Sequence, residues 1–118
     1  MFDIHSHVLP GLDDGPARIQ ESLEMMRSAQ RAGVRAIVAT PHCESHRLSL
    51  RTSVIDGAVT RLRAAAADDP EASAVELYMG SEIMLDPGVR TALDCRDVPT
   101  LGGNTRFALV ELPMRWVP

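Results

Sequence analysis

The sequence contains no lysine; all twelve of its basic residues are arginine, which points to a GC-rich coding background more than to a function. Its formal net charge of −4 gives no general attraction to nucleic acid or to an anionic membrane. An anionic ligand would need local positive charge, from a metal ion or from placed arginines. No apolar run approaches membrane-spanning length, and no charged-then-apolar leader precedes the first strand, so neither membrane insertion nor secretion is expected. Cysteine is scarce: Cys43 and Cys95 form neither a Cys-x-x-Cys pair nor a dense framework, which predicts a reducing, cytoplasmic setting. A phosphate-binding cysteine loop needs an arginine six positions after the nucleophile, where this chain has Ser49 and Leu101. Gly-x-Ser-x-Gly, Walker-type Gly-Lys-Ser/Thr and Gly-x-Gly-x-x-Gly are missing too, and there is no internal repeat.

What is present is ordinary globular composition, 45% apolar and 24% charged, in 118 residues, which predicts a single domain over 1–118. Near its start stands Asp3-Ile4-His5-Ser6-His7. Read as a strand it alternates, with Phe2 and Ile4 on one side and Asp3, His5 and His7 on the other. Two imidazoles two residues apart then point the same way, and one cation can reach both. After a loop, Asp13-Asp14-Gly15-Pro16 reads as a helix entry, with Pro16 in the first turn and either aspartate as cap. A helix is predicted over 17–32, burying Ile19, Leu23, Met26, Ala29 and Ala32, and ended by Gly33 in a left-handed conformation. Residues 34–39 read as a second strand stopping at Thr40-Pro41-His42. A polar segment over 43–51 precedes a second helix over 52–67 that buries Val54, Ile55, Ala58, Val59 and Leu62. A third strand over 75–79 leads to Gly80-Ser81-Glu82, a short helix runs from Asp86-Pro87 to about Leu93, and a fourth strand covers 107–110 before Glu111.

This order calls for an α/β fold with parallel strands joined by right-handed crossovers. Chemistry in such folds sits at the carboxyl ends of the strands. The predicted strands end in His5 and His7, in His42, in Glu82 and in Glu111, so each delivers a metal-ligating side chain to one edge. Each residue also has a plainer reading. His42 is otherwise a loop histidine and Glu82 a solvated acid before a helix. Asp14 is equally well a helix cap, and Glu111 could pair with Arg106 or Arg115. His46 reads as a loop residue; Arg47 and Arg51 could meet an anionic substrate at the rim, or lie in a solvated loop.

Taken together, these residues resemble the amino-terminal part of the polymerase-and-histidinol-phosphatase superfamily. More narrowly, they resemble its bacterial manganese-dependent tyrosine-protein phosphatases of capsule and exopolysaccharide synthesis. The matching pieces are the His5/His7 motif, Asp13-Asp14-Gly15-Pro16 with Glu21-Ser22, residues 33–42, Gly80-Ser81-Glu82-Ile83, and Val98-Pro99-Thr100-Leu101 leading to residues 106–111. The resemblance implies a distorted (β/α)7 barrel, of which this chain holds about four strands. It implies that His5 and His7 bind one metal, that Glu82 bridges metals, that Asp14 and His42 bind another, and that Glu111 helps hold the remaining one. The ions would be manganese, with iron or zinc as alternatives. They would generate the hydroxide that attacks phosphorus, and the substrate would be a phosphotyrosine protein such as a bacterial tyrosine autokinase. A later His, an Asp-x-His and substrate-side arginines of that family have no counterpart here. The chain is therefore expected to be a fragment, or to be completed by self-association or a second chain, and to have little activity alone. A related phosphoesterase, such as a histidinol-phosphate phosphatase, and a non-catalytic metal-binding remnant are the alternatives.

Overall fold

The computed structural model describes residues 1–44 and 51–114. His46, Arg47 and Arg115 lie outside the described residues. In chain order the elements are β1 (Phe2–Ser6), α1 (Ile19–Arg31), β2 (Ala36–Ala39), β3 (His42–Cys43), α2 (Thr52–Ala66), a 3-10 turn (Ala72–Ala74), β4 (Glu76–Met79), β5 (Glu82–Met84), α3 (Val89–Asp94) and β6 (Leu109–Glu111). All strand pairings in the two ladders are parallel.

Helix α1 begins two residues later than the sequence predicts, because neither Asp13 nor Asp14 caps it. Its entry is closed instead by Glu21, whose Oε2 accepts the backbone N–H groups of Ala17 and Arg18 at 2.8 and 3.2 Å. Gly33 ends it with a φ of +86°, the left-handed conformation that the sequence predicts. The α1 face turned inward carries Ser22 and Met26 buried, with Ile19, Leu23 and Ala29 packed against the core. Ala32 is exposed. Helix α2 buries Ile55, Ala58, Val59, Leu62 and Ala66, a stripe at helical spacing. Val54 falls one position off that stripe and is exposed.

Among the described residues four predicted strands become six, because the short β3 and β5 follow just beyond the ends predicted for the second and third. The ladders are β1-β2-β4 and β3-β5-β6. Pro41, which has no N–H to give, divides β2 from β3. Gly80 and Ser81 divide β4 from β5, where a Cβ on Gly80 would stand 2.8 Å from Val38 Cγ1. The chain stays tied across the breaks: Thr40 N–H donates to the Ser6 carbonyl at 2.8 Å, and Glu82 N–H to the Pro41 carbonyl at 3.0 Å. The second ladder therefore starts where the first ends, with His42 in register with Glu82 and Glu82 with Leu109.

One face of the first ladder is covered. Ile37 and Leu77, neighbours in register, are buried in the core with residues of α1 and α2. The other face is open: Phe2 is 73% and Ile4 55% exposed, and with Val38, Tyr78 and Phe107 they line a groove of about 790 Å³. No helix among the described residues is long and apolar enough to cross a membrane.

Candidate metal centre

The strand ends deliver their side chains to one place. His5 Nε2 and His7 Nε2 lie 3.3 Å apart, and both face Glu82 Oε2, at 3.1 and 3.0 Å. His42 Nδ1 approaches the same Glu82 oxygen at 3.4 Å and Glu111 Oε2 at 3.1 Å. On its other side, His42 Nε2 is 3.5 Å from Asp14 Oδ1, which is also 4.0 Å from His7 Nδ1. The six residues singled out from the sequence thus form one continuous cluster. Glu111 meets His42, as the alternative of an ion pair with Arg106 or Arg115 did not anticipate.

The register of β1 explains the pairing of the histidines and corrects one expectation. Asp3 is in register with Ile37 and Ser6 with Ala39, three steps on β1 against two on β2. Such a bulge re-aims the side chains that follow it. Asp3 and Ser6 consequently line one depression beside α1 with Ile37 and Glu21, so Asp3 is parted from the His5/His7 cluster that simple alternation placed it with, and it also borders the groove of Phe2 and Ile4. Its carboxylate accepts the His5 backbone N–H at 3.0 Å instead.

Two features fit this donor set to divalent cations. Ligands sharing a first-row ion at about 2.0–2.2 Å sit roughly 3–3.5 Å from one another, the separation seen among His5, His7 and Glu82. Further, Glu82 Oε2 is buried and has no hydrogen-bond partner, although three imidazole nitrogens surround it. A buried carboxylate oxygen without a donor is costly unless something positive meets it. Among the described residues, three groups of potential ligand atoms lie within 4.8 Å of one another: His5, His7 and Glu82; His42, Glu82 and Glu111; and His7, Asp13, Asp14 and His42. Glu82 belongs to two of these groups, and its two oxygens suit a bridging position.

Asp13 was missed as a site residue, because an aspartate before Gly-Pro reads as a cap. Its side chain is 6% exposed, and its Oδ2 accepts from His7 Nδ1 at 2.8 Å. Burial works against ionisation of either partner. The hydrogen bond to Asp13 and the nearby carboxylates nevertheless hold the His7 imidazole above its ordinary pKa. The bonds from His7 and from the His42 and Gly15 amides hold the Asp13 carboxyl below its own. Cys43 is inert by contrast, burial pushing its thiol up to about 11. Arg51 stands exposed at the N-cap of α2, in a surface depression shared with Arg96 and Asp97.

The fold and cluster define a class: a parallel α/β chain that gathers imidazoles and carboxylates at its strand ends in a donor set for divalent cations. The chain belongs to the family described as capsular polysaccharide synthesis, CpsB/CapC, which matches residues 1–115. It is 34% identical over 120 residues to tyrosine-protein phosphatase YwqE of Bacillus subtilis, covering 100% of this chain and 45% of that protein. To tyrosine-protein phosphatase CpsB of Streptococcus agalactiae it is 31% identical over 115 residues, covering 98% and 46%. A chain from the crystal structures of YwqE from Bacillus subtilis and CpsB from Streptococcus pneumoniae, described as unique metal-dependent tyrosine phosphatases, superposes with a TM-score of 0.86 at 32% identity. That match covers 96% of this chain and 44% of the other. The chain therefore spans less than half the length of the relatives it matches.

Proposed function

We propose that this chain supplies metal-binding machinery of a metal-dependent protein-tyrosine phosphatase acting on a phosphotyrosine protein, such as a bacterial tyrosine autokinase of capsule or exopolysaccharide synthesis. In this reading residues 1–118 act as one domain, contributing about four strands of a distorted (β/α)7 barrel. The proposed ligands are His5 and His7 for one ion, Asp14 and His42 for another, and Glu111 toward a third, with Glu82 bridging. One observation carries the reading: the buried Glu82 Oε2, without a hydrogen bond, faces imidazole nitrogens of His5, His7 and His42 at 3.1, 3.0 and 3.4 Å. When bound, divalent cations supply Lewis-acid activation of water and neutralise charge on the phosphoryl oxygens.

The chain's own residues do the rest. Glu82 keeps the histidines of β1 and β3 around a common anion, and the burial of its carboxylate keeps water from competing for it. His5, nearly half exposed, and Asp14, largely exposed, form the solvent side of the cluster, where an aromatic ring carried on a protein surface can approach. Manganese is the metal implied by the family resemblance; the mixed nitrogen and oxygen donors also suit iron or zinc. The scarcity of cysteine and the acidic net charge support a cytoplasmic setting with no nucleic-acid partner. The open apolar face of β1, β2 and β4 is the side to be covered by further barrel strands, by self-association or by a second chain.

The test compares turnover of a phosphotyrosyl peptide and of histidinol phosphate, with manganese and with chelator. Both the chain alone and a protein of its relatives' full length would be assayed. Manganese-dependent turnover of the phosphotyrosyl peptide in the full-length context, with little by the chain alone, is the expected result. Preference for histidinol phosphate, or turnover unaffected by chelator, would overturn the proposal.

A further inference from the structure

The loop after β1 carries a carboxylate that contacts two proposed ligands and is itself held by three donors. Asp13 Oδ2 accepts from His7 Nδ1 at 2.8 Å and from the His42 backbone N–H at 3.0 Å; Oδ1 accepts the Gly15 backbone N–H at 3.0 Å. Three donors take up most of the acceptor sites of a carboxylate only 6% exposed and fix it in place.

We propose that Asp13 is a positioning residue: it fixes the ring tautomer of His7 and clamps the backbone of His42, so that both imidazoles are set for the cation cluster. An ionised carboxylate has no proton to donate, so the proton in the His7–Asp13 bond sits on Nδ1. That leaves Nε2 with its lone pair bare, and Nε2 is the atom 3.0 Å from Glu82 Oε2 and 3.3 Å from His5 Nε2. The orienting carboxylate behind a ligating histidine is a general device for holding ring and tautomer together. The second bond reaches across 29 positions of sequence to the first residue of β3, so one side chain sets the His7 ring and the start of the His42 strand.

Gly15 makes the clamp sterically possible. A Cβ there would stand 2.3 Å from the His7 carbonyl oxygen and 3.2 Å from His7 Cβ. The loop therefore lies directly on the His7 backbone, which any other residue at 15 would prevent. The inference rests on the reading of the cluster as a metal centre, and its experiment separates the two.

The first arm needs no substitution. Long-range proton–nitrogen correlation spectra of the full chain in chelator, at a pH where His7 is neutral, report its tautomer. A protonated Nδ1 is expected; a protonated Nε2 would overturn the proposal. The second arm titrates Mn2+ into the wild-type chain and Asp13→Asn, with urea unfolding to establish that the variant is folded. The amide cannot accept all three bonds, and a loss of about 10–100-fold in Mn2+ affinity is expected, together with loss of the single His7 tautomer. A folded Asp13→Asn that keeps wild-type affinity would defeat the positioning role while leaving the metal centre standing. A wild-type chain that takes up no Mn2+ would defeat the metal centre, and with it the positioning role.

Discussion

Replacing Glu82 by glutamine should raise the stability of the metal-free chain and abolish its response to metal. The buried Glu82 Oε2 meets no hydrogen-bond donor. Leaving such a charged acceptor without a donor costs on the order of 1–3 kcal/mol. Glu111 adds to this: its ligand oxygen lies within 4.8 Å of that of Glu82. Two unit charges at that distance repel by roughly 3.5 kcal/mol at an effective dielectric near 20, and solvent around the one-third-exposed Glu111 reduces this to on the order of 1 kcal/mol. Glu82→Gln removes both penalties, and its amide can donate to an imidazole nitrogen. In chelator the variant should therefore be more stable than wild type by about 1–2 kcal/mol. With manganese at a hundred times its dissociation constant, wild type should gain about 2.7 kcal/mol and the variant almost nothing, reversing the order. Urea unfolding with and without metal measures both. A variant destabilised in chelator, or one that gains as much from manganese as wild type does, would refute this reasoning.

Gly15→Ala should push the 13–15 loop off His7 by about 1 Å, given a Cβ 2.3 Å from a carbonyl oxygen, at a cost of roughly 1–3 kcal/mol in urea unfolding. Manganese affinity should fall with it; an unchanged unfolding midpoint would count against the close packing of that loop. Leu62→Ala, at a fully buried site on α2, should cost about 2–5 kcal/mol, and a loss under 1 kcal/mol would contradict the packing of α2 on the sheet. In chelator, the His7–Asp13 pair should give stability a two-sided pH dependence. Because the folded His7 pKa is raised, its contribution is complete below about pH 6.5 and lost as pH rises through the raised value. Because the folded Asp13 pKa is lowered, its contribution is present above about pH 3.9 and lost as pH falls through the lowered value. Unfolding midpoints followed across pH should show both limbs flattened in His7→Gln; unchanged limbs would dissociate the pair from stability.

The helices were legible because their apolar residues recur at the period the fold uses: 55, 58, 59 and 62 come in directly, and Gly33 marks the end of α1. Val54 was misassigned because a stripe one residue wider fits the same periodicity. The clustering of the candidate residues was legible because they sit where predicted strands stop. The interruptions at Pro41 and Gly80-Ser81 were not, since β3 and β5 are two and three residues long, too short to show alternation. Nor was the bulge that parts Asp3 from His5 and His7, because a register shift is a relation between two strands and leaves no mark on one. Asp13 was obscured for a related reason. The local sequence offers it a helix to cap, and only the fold brings His42 to its other side.

Manganese binding by equilibrium dialysis tests the shared centre most directly, on the wild-type chain and on His7→Ala and His42→Ala, which alter different strands. Binding by wild type that is weakened at least tenfold in each variant is the expected result. No uptake by wild type, or uptake equal in all three proteins, would contradict a centre assembled from both strand ends.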